Sequence, residues 1–372
     1  MSPDDATLAA EPPVLIERRG RLGHLILNRP RAINALNHDM VITLQRVLDE
    51  WAQDDGVDTV LLTGRGERGL CAGGDIVSIY RDALGGGSES VQFWRDEYRL
   101  NLTIAQYAKP YVAIMDGIVL GGGIGLSAHG RFRVVTERSS VGLPETSIGF
   151  TPDVGGTWLL SHAPGETGTH LALTAGSVGA ADAIAIGLAD HLVPADRLPE
   201  LVEALEHVDA RSAIDAASVV PAASALLAGR EWIDEAYSAD DVEEILRRLL
   251  ASPVQAAREA AATIASKSPT ALAVTLASLR AARRQPDLAA TLVQEFRASV
   301  HALRSHDLAE GIRAQVVDKD RTPHWRPANL AGVTPSAVAA YFTEPAEGDL
   351  VLGAPASHAT ASTTRRTGKE HA

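Results

Sequence analysis

Apolar residues cluster in short runs along the first two hundred positions and on helical faces thereafter. The segments Val14–Arg18 and Gly23–Leu27 are expected as strands that meet around Arg19–Gly20–Arg21. Asn28–Arg29–Pro30 ends the second one, because proline has no N–H to give to a ladder. In Asn37–Trp51, the residues Met40, Val41, Leu44, Val47, Leu48 and Trp51 fall on one face of a helix. Val57–Thr63, Tyr111–Asp116 and Arg131–Thr136 are further apolar runs of strand length. Strands alternating with helical stretches predict an α/β core over residues 14–200. Beyond it, alanine-rich helical patterns dominate, as in Val242–Leu250, Pro253–Lys267, Ala271–Arg284 and Asp287–Ser305. They predict a helical C-terminal region over 201–342. Residues 1–13 are expected to be flexible. Residues 343–372, with little to bury, are expected to form a disordered tail.

Charge narrows the range of partners. The 372 residues carry 47 Asp and Glu against 34 Lys and Arg, a formal net charge of −13, which opposes a polyanionic partner. No dense basic stripe offers a nucleic-acid footprint. The lone cysteine, Cys71, rules out an internal disulfide framework and fits a reducing compartment. No apolar run approaches the ~20 residues that span a bilayer. The N-terminus lacks the pattern of a signal or transit peptide. The expectation is a soluble cytoplasmic protein without a membrane partner. The scattered histidines have no metal-ligand spacing.

Three segments can carry chemistry. Cys71–Ala72–Gly73–Gly74–Asp75 follows a strand, and its small residues let a ligand approach a backbone N–H. The plain alternative is a tight turn, with Asp75 capping the next helix. Gly121–Gly122–Gly123–Ile124–Gly125 lies at a strand-to-helix junction, where glycines free the first helical amides or simply allow close packing. Pro144–Glu145 and Asp153, with Gly149 and Pro152 between them and Gly155–Gly156 after, suggest a folded-back loop that brings two carboxylates to one cleft. Such a pair would push its two pKa values apart and supply an acid and a base. Two solvated loop acids are the alternative. Cys71 has no histidine placed by sequence to activate it, so it is read as a small buried residue.

Taken in order, Ala72–Gly73–Gly74–Asp75, Gly121–Gly122–Gly123 and Pro144–Glu145 followed by Gly155–Gly156 resemble the successive signatures of the crotonase (enoyl-CoA hydratase/isomerase) superfamily. The likeness begins at Leu25–Ile26–Leu27–Asn28–Arg29–Pro30 with Asn34–Ala35–Leu36 and covers about residues 14–200. It implies a core of repeated ββα units, an acyl-CoA thioester substrate and an oxyanion hole made by the amides of Gly74 and Gly122. Ala32, Ala72 and Gly73 would contact CoA. Assembly as a homo-oligomer is also implied, subject to what the C-terminal helices do.

Hydratases of the superfamily share Glu145. They carry a second glutamate shortly after the glycine triplet, where this chain has Gly125, and a glycine where it has Asp153. The segment from Pro144 to Gly156 instead resembles the 3-hydroxyisobutyryl-CoA hydrolase branch. So do Arg95–Asp96–Glu97–Tyr98 with Leu100–Asn101, Ser268–Pro269–Thr270, Glu295–Phe296–Arg297, His306–Asp307, Glu310–Gly311–Ile312–Arg313–Ala314 and the stretch from Asp318 to Trp325. This likeness extends to about residue 330. It implies hydrolysis of a short branched 3-hydroxyacyl-CoA in valine breakdown, with Glu145 and Asp153 catalytic. Glu97, Gly122, Glu145 and Asp153 would bind the substrate, and no metal or redox cofactor is needed because CoA arrives with the substrate. Glu97 could otherwise be a salt-bridge partner on a helix face. Glu310 and Asp318 are read as structural. The rival functions are an enoyl-CoA hydratase or isomerase, and a non-catalytic acyl-CoA-binding or RNA-binding relative.

Overall fold

The computed structural model describes residues 11–353. Two sheets form the frame. The larger is ordered β1 (Val14–Arg19), β2 (Leu22–Leu27), β3 (Thr59–Gly64), β4 (Tyr111–Met115), β6 (Phe132–Val135) and β9 (His191–Leu192); the smaller is ordered β5 (Ile118–Leu120), β7 (Ser140–Gly142) and β8 (Ser177–Val178). Apart from the β1–β2 hairpin and the β7–β8 pair, the strands run parallel. The chain spirals between the sheets: β4 and β6 lie in one, β5 and β7 in the other, and a helix follows each pair. These are the expected ββα units. The first is β1, β2 and α1 (His38–Ala52); the third is β4, β5 and α4 (Gly122–Ser127).

The unbroken apolar runs have a simple cause. Parallel strands covered on both faces alternate between two cores. Val60, Leu62, Ala113 and Met115 enter the main core, which α1 and α3 (Glu89–Ala105) also fill. Leu61, Val112, Ile114, Phe132 and Val134 point the other way, against Leu201, Leu205, Ala213 and Ile214. Helix α1 begins where the sequence places it, with the Asn37 side chain accepting the Met40 N–H as its N-cap.

The expected division at residue 200 is not a division of the core. The helices Leu198–Ala204 and Ala210–Ala217 cover the back of the larger sheet. Further on, Leu279, Leu292, Phe296, Val300, Leu308 and Ile312 join the main core. A separate helical cluster does exist, spanning Ile233 to Leu276 and docked on Leu173. A helical C-terminal region is therefore present, yet it shares its apolar surface with the α/β part.

The tail also departs from expectation at its start. Residues 343–353 lie against α3 and the Leu288–Leu303 helix, with Leu350 buried. Arg95 donates to the carbonyls of Glu347, Gly348 and Asp349, and Arg297 pairs with the Asp349 carboxylate. Paired arginines supply the ordering energy that the sparse apolar content cannot. The rest of the expected tail, and residues 1–10 of the expected flexible N-terminus, lie outside the described residues. Glu11, Pro12 and Pro13 are held against Asn28 and Arg65.

Close backbone approach joins the C-terminal helices to the rest. A Cβ added to Gly311 would lie 2.2 Å from the Ile148 carbonyl carbon. Gly311→Ala should therefore force apart the His306–Ile312 helix and the turn beside Glu145, lowering stability by ~1–3 kcal/mol in urea unfolding.

Candidate active site

The loop after β3 is laid along β5, through bridges that pair Gly69 with Gly117 and Cys71 with Val119. On its other side, the Leu36 N–H donates to Gly73 O (2.8 Å) and the Asp75 N–H to Leu36 O (2.7 Å). Asn34 anchors the root: fully buried, it donates to the carbonyls of Arg65 and Gly69 and accepts the Arg29 N–H. Asp75 does cap the next helix, α2 (Ile76–Gly85), and also pairs with Arg29.

Glycine is required at two points here. Gly73 has φ +107° and Gly121 has φ +49° with ψ −120°, conformations in which a Cβ would meet the chain's own backbone. Each turns the amide that follows it, Gly74 in one case and Gly122 in the other. Among the described residues neither of those N–H groups has a protein acceptor. They are close neighbours, since a Cβ on Gly122 would lie 3.4 Å from the Gly74 nitrogen. Two free amides side by side suit an oxygen that gains negative charge.

The carboxylate segment folds back as its glycines suggest. Glu145–Ile148 makes a single 3-10 turn, and Gly149 (φ +71°) reverses the chain. Val154 (φ +54°) and Gly155 (φ +79°) reverse it again before α5 (Gly156–Ser161). The second reversal is clasped from far along the chain. The buried Glu295 carboxylate accepts from Gly155 N (2.6 Å), Thr157 N (2.8 Å) and Thr157 Oγ1 (2.5 Å). Asp153 Oδ2 in turn accepts the Tyr98 hydroxyl at 2.7 Å.

One compact cavity of about 190 Å³ gathers Ala72, Gly73, Gly74, Glu97, Gly122, Glu145 and Asp153. Ile76, Ile79, Phe93, Trp94, Phe150 and Val154 make its apolar walls, and Leu308, Ile312 and Gln315 close it from the C-terminal helices. Trp94 stacks on Phe150, with ring centroids 5.6 Å apart. Ala32 is not among the lining residues. It is exposed on the turn Pro30–Ala32, next to Ile33, whose carbonyl accepts the Ala72 N–H. Glu97 makes no ion pair among the described residues: it is 2% exposed, and its Oε1 has no hydrogen-bond partner. Glu145 Oε2 is likewise buried without a partner.

Burial sets the electrostatics. Loss of water, and then the charge of Asp153, push the Glu97 and Glu145 carboxyls well above the usual range. Burial pushes Asp153 up to about 7, against the lowering effect of the Tyr98 hydrogen bond. Carboxyls raised by burial and by one another let carboxylate and carboxylic acid stand together in one cavity, the requirement for paired acid and base chemistry. Cys71 is fully buried, and desolvation raises its thiol to about 12, so it is no nucleophile. Glu310 is structural, tied to Arg313 and the His324 N–H. No group of three or more His, Cys, Asp and Glu among the described residues is arranged to hold a metal ion.

The position that distinguishes the hydratases is filled from outside. A Cβ on Gly125 would lie 2.7 Å from both Asn101 Nδ2 and Val154 Cβ, so no larger side chain fits without displacing them.

A family profile described as enoyl-CoA hydratase/isomerase matches residues 22–342. The chain belongs to that family. Within it, the 3-hydroxyisobutyryl-CoA hydrolase, mitochondrial, of Danio rerio is 38% identical over 350 residues, covering 91% of each chain. The protein of the same name from Homo sapiens is 37% identical over 348 residues, covering 91% of this chain and 90% of its own. Among solved structures, a carnitinyl-CoA dehydratase from Mycobacterium thermoresistibile has 52% identity and a TM-score of 0.89, over 91% of this chain and 98% of that one. An enoyl-CoA hydratase from Rhodobacter sphaeroides 2.4.1 has 37% identity and a TM-score of 0.86, over 92% and 100%. The two solved structures share this chain's fold, and the reactions in these four names differ.

The sequence match included Glu295 and Tyr98 without giving either a role, and it missed Ser299. Glu295 and Ser299 lie four apart on one helix. Polar residues at i and i+4 on an otherwise apolar face were the available signal. Glu295→Ala should lower stability by ~3–5 kcal/mol in urea unfolding, because three buried donors lose their acceptor. Glu295→Gln should fall between the two.

Proposed function

We propose that the chain hydrolyses a short branched 3-hydroxyacyl-CoA thioester, with 3-hydroxyisobutyryl-CoA as its substrate, to the hydroxy acid and free CoA. The observation that carries this reading is the pairing of Glu145 with Asp153 in one cavity beside the free amides of Gly74 and Gly122. The blocked space at Gly125 supports it, since a second glutamate of the hydratase kind has no room there. Relatives at 35–38% identity over most of the chain bear the hydrolase name.

In this reading the thioester oxygen sits against the Gly74 and Gly122 amides, which stabilise the charge it gains on attack; one such donor contributes ~3 kcal/mol. Glu145 drives the attack from the state in which the proton shared by the coupled pair sits on Asp153, either by taking a proton from water or by attacking the carbonyl carbon itself to form an anhydride. When the C–S bond breaks, Asp153 gives its proton to the departing sulfur; it regains one from Glu145 in the water route, or from the water that cleaves the anhydride in the other. Glu97 and Asp153 hold the substrate hydroxyl. A buried site built to bond a hydroxyl rejects analogues that lack it, by ~10⁴ in favourable cases. The apolar walls shed water and strengthen each of these interactions. The proposal extends to a role in valine breakdown and to a reducing, cytoplasmic compartment, the latter resting on the lone buried Cys71. The animal relatives' own names place them in mitochondria. Among the described residues, no helix is long and apolar enough to cross a membrane.

Thiol release from 3-hydroxyisobutyryl-CoA, followed with a thiol reagent, tests the reaction. Hydration of crotonyl-CoA without any thiol release would sink the hydrolase reading in favour of a hydratase. Glu145→Gln and Asp153→Asn should each lower kcat by ~10²–10⁴-fold while CoA-ester binding stays measurable by calorimetry. Gly125→Glu, the change that would supply the hydratase's second acid, should yield no hydratase; the expected outcome is a destabilised chain with no crotonyl-CoA turnover.

A further inference from the structure

Asp153 is the carboxylate in the cavity that is tied to a run of buried hydroxyls. Tyr98 and Ser299 are both fully buried. The Tyr98 hydroxyl lies 2.7 Å from Asp153 Oδ2 and 2.7 Å from Ser299 Oγ. Ser299 Oγ lies 2.9 Å from the Glu295 carbonyl one turn back on its helix. The Tyr98 ring packs edge-on against Phe296, centroids 6.4 Å apart and planes at 86°, so the hydroxyl is held in place. Neither Tyr98 nor Ser299 lines the cavity.

Counting protons shows what this row can do. Three contacts join four oxygen atoms, while the two hydroxyls bring only two protons. With Asp153 ionised, Ser299 donates to Tyr98 and Tyr98 to the carboxylate, and the Glu295 carbonyl keeps only its helical bond. With Asp153 protonated, the direction reverses: Asp153 donates to Tyr98, Tyr98 to Ser299, and Ser299 to the Glu295 carbonyl. Both states are satisfied by rotating two O–H bonds, with no heavy atom displaced. We infer that Tyr98 and Ser299 are positioning residues whose hydrogen-bond chain runs in either direction, so that Asp153 can give up and recover a proton without moving.

This inference rests on the proposed hydrolase reading, in which Asp153 exchanges a proton twice per turnover. In the anhydride route, Glu145 carboxylate, thioester and protonated Asp153 give the anhydride, free CoA thiol and Asp153 carboxylate. Water then cleaves the anhydride, its hydroxyl going to the substrate's acyl carbon and its proton to Asp153, which releases the hydroxy acid and restores both side chains. The chain must therefore offer a partner to both forms, and a fixed donor would offer one to the ionised form only. The other groups around Asp153 are acids or neutral. Glu97 lies on the same helix as Tyr98, Glu145 on the opposite turn and Glu295 behind the Gly155 reversal; all three are pushed up by burial. His129, which donates Nε2–H to Val154 O, is held neutral because burial lowers it to about 4.

The test uses the full chain with Tyr98→Phe and Ser299→Ala, two variants that delete an oxygen and add nothing. Asp153 is followed by its carboxyl stretch in an infrared pH titration, with Asp153→Asn identifying the band. Tyr98→Phe removes a charge-assisted donor, which favours the ionised form more than the neutral one. Its titration should move up by about one pH unit. Ser299→Ala leaves the Tyr98 donor to the carboxylate intact but strands the Tyr98 proton when Asp153 is protonated. Its titration should move down. Both variants should lower kcat on 3-hydroxyisobutyryl-CoA by about tenfold or more with KM changed by less than about threefold, and the matching limb of the pH–rate profile should shift in the same opposite senses. Shifts of the same sign, or no shift in either variant, overturn the chain and leave the two hydroxyls as packing groups. Opposite infrared shifts in a protein that releases no thiol would uphold the chain and sink the hydrolase reading instead.

Discussion

A single carboxylate, Glu295, decides where the site's loop lies. It accepts both backbone amides that flank Gly156 and the Thr157 hydroxyl as well. Those amides sit at a helix start, where no carbonyl of the helix itself can take them. The acceptor arrives from a helix some 140 positions later in the chain. Because the clasp acts directly after Val154, it also sets where Asp153 points. The same helix then supplies Ser299 behind Tyr98, so one element fixes the acid through backbone and side chain together. The fold cannot be trimmed to its α/β part without losing that support.

Placing Glu97, Glu145 and Asp153 in one apolar cavity is unfavourable for folding, since a buried carboxylate without a partner loses its hydration. Burial drives all three toward the neutral form, and the Tyr98 hydroxyl singles out Asp153 as the one that keeps a donor. The unpartnered oxygens of Glu97 and Glu145 face the same space as the two unpartnered amides. A structure that leaves acceptors and donors open around a common point is arranged for something that brings both, as a thioester oxygen and a hydroxyl would. The aromatic and aliphatic walls keep water from filling that role cheaply.

Much of this was legible in the residues. Helix α1 and the strands β1, β2, β3, β4 and β6 followed from apolar spacing, with ends displaced by at most two positions, whereas the two- and three-residue strands β5, β7, β8 and β9 are too short to leave such a run. The glycine segments were legible because Gly73 and Gly121 adopt backbone conformations closed to other residues. Glu145 and Asp153 stood out from the breakers between them. The division at residue 200 misled, since alanine-rich helices look the same whether they pack on each other or on a sheet. The order in residues 343–353 also escaped, because it comes from Arg95 and Arg297 across the molecule rather than from local composition.

Backbone preference and hydrophobic periodicity are local properties, and the order of residues alone was enough to set the α/β core, the two glycine turns and the folded-back acidic loop. The partners of each buried polar atom are not local. That Glu295 clasps the turn before α5, that Tyr98 rather than water meets Asp153, and that Asn101 and Val154 occupy the space beside Gly125 were settled only when distant helices packed together. A buried donor or acceptor must find its complement in whatever surface reaches it, and only the tertiary arrangement determines which surface that is.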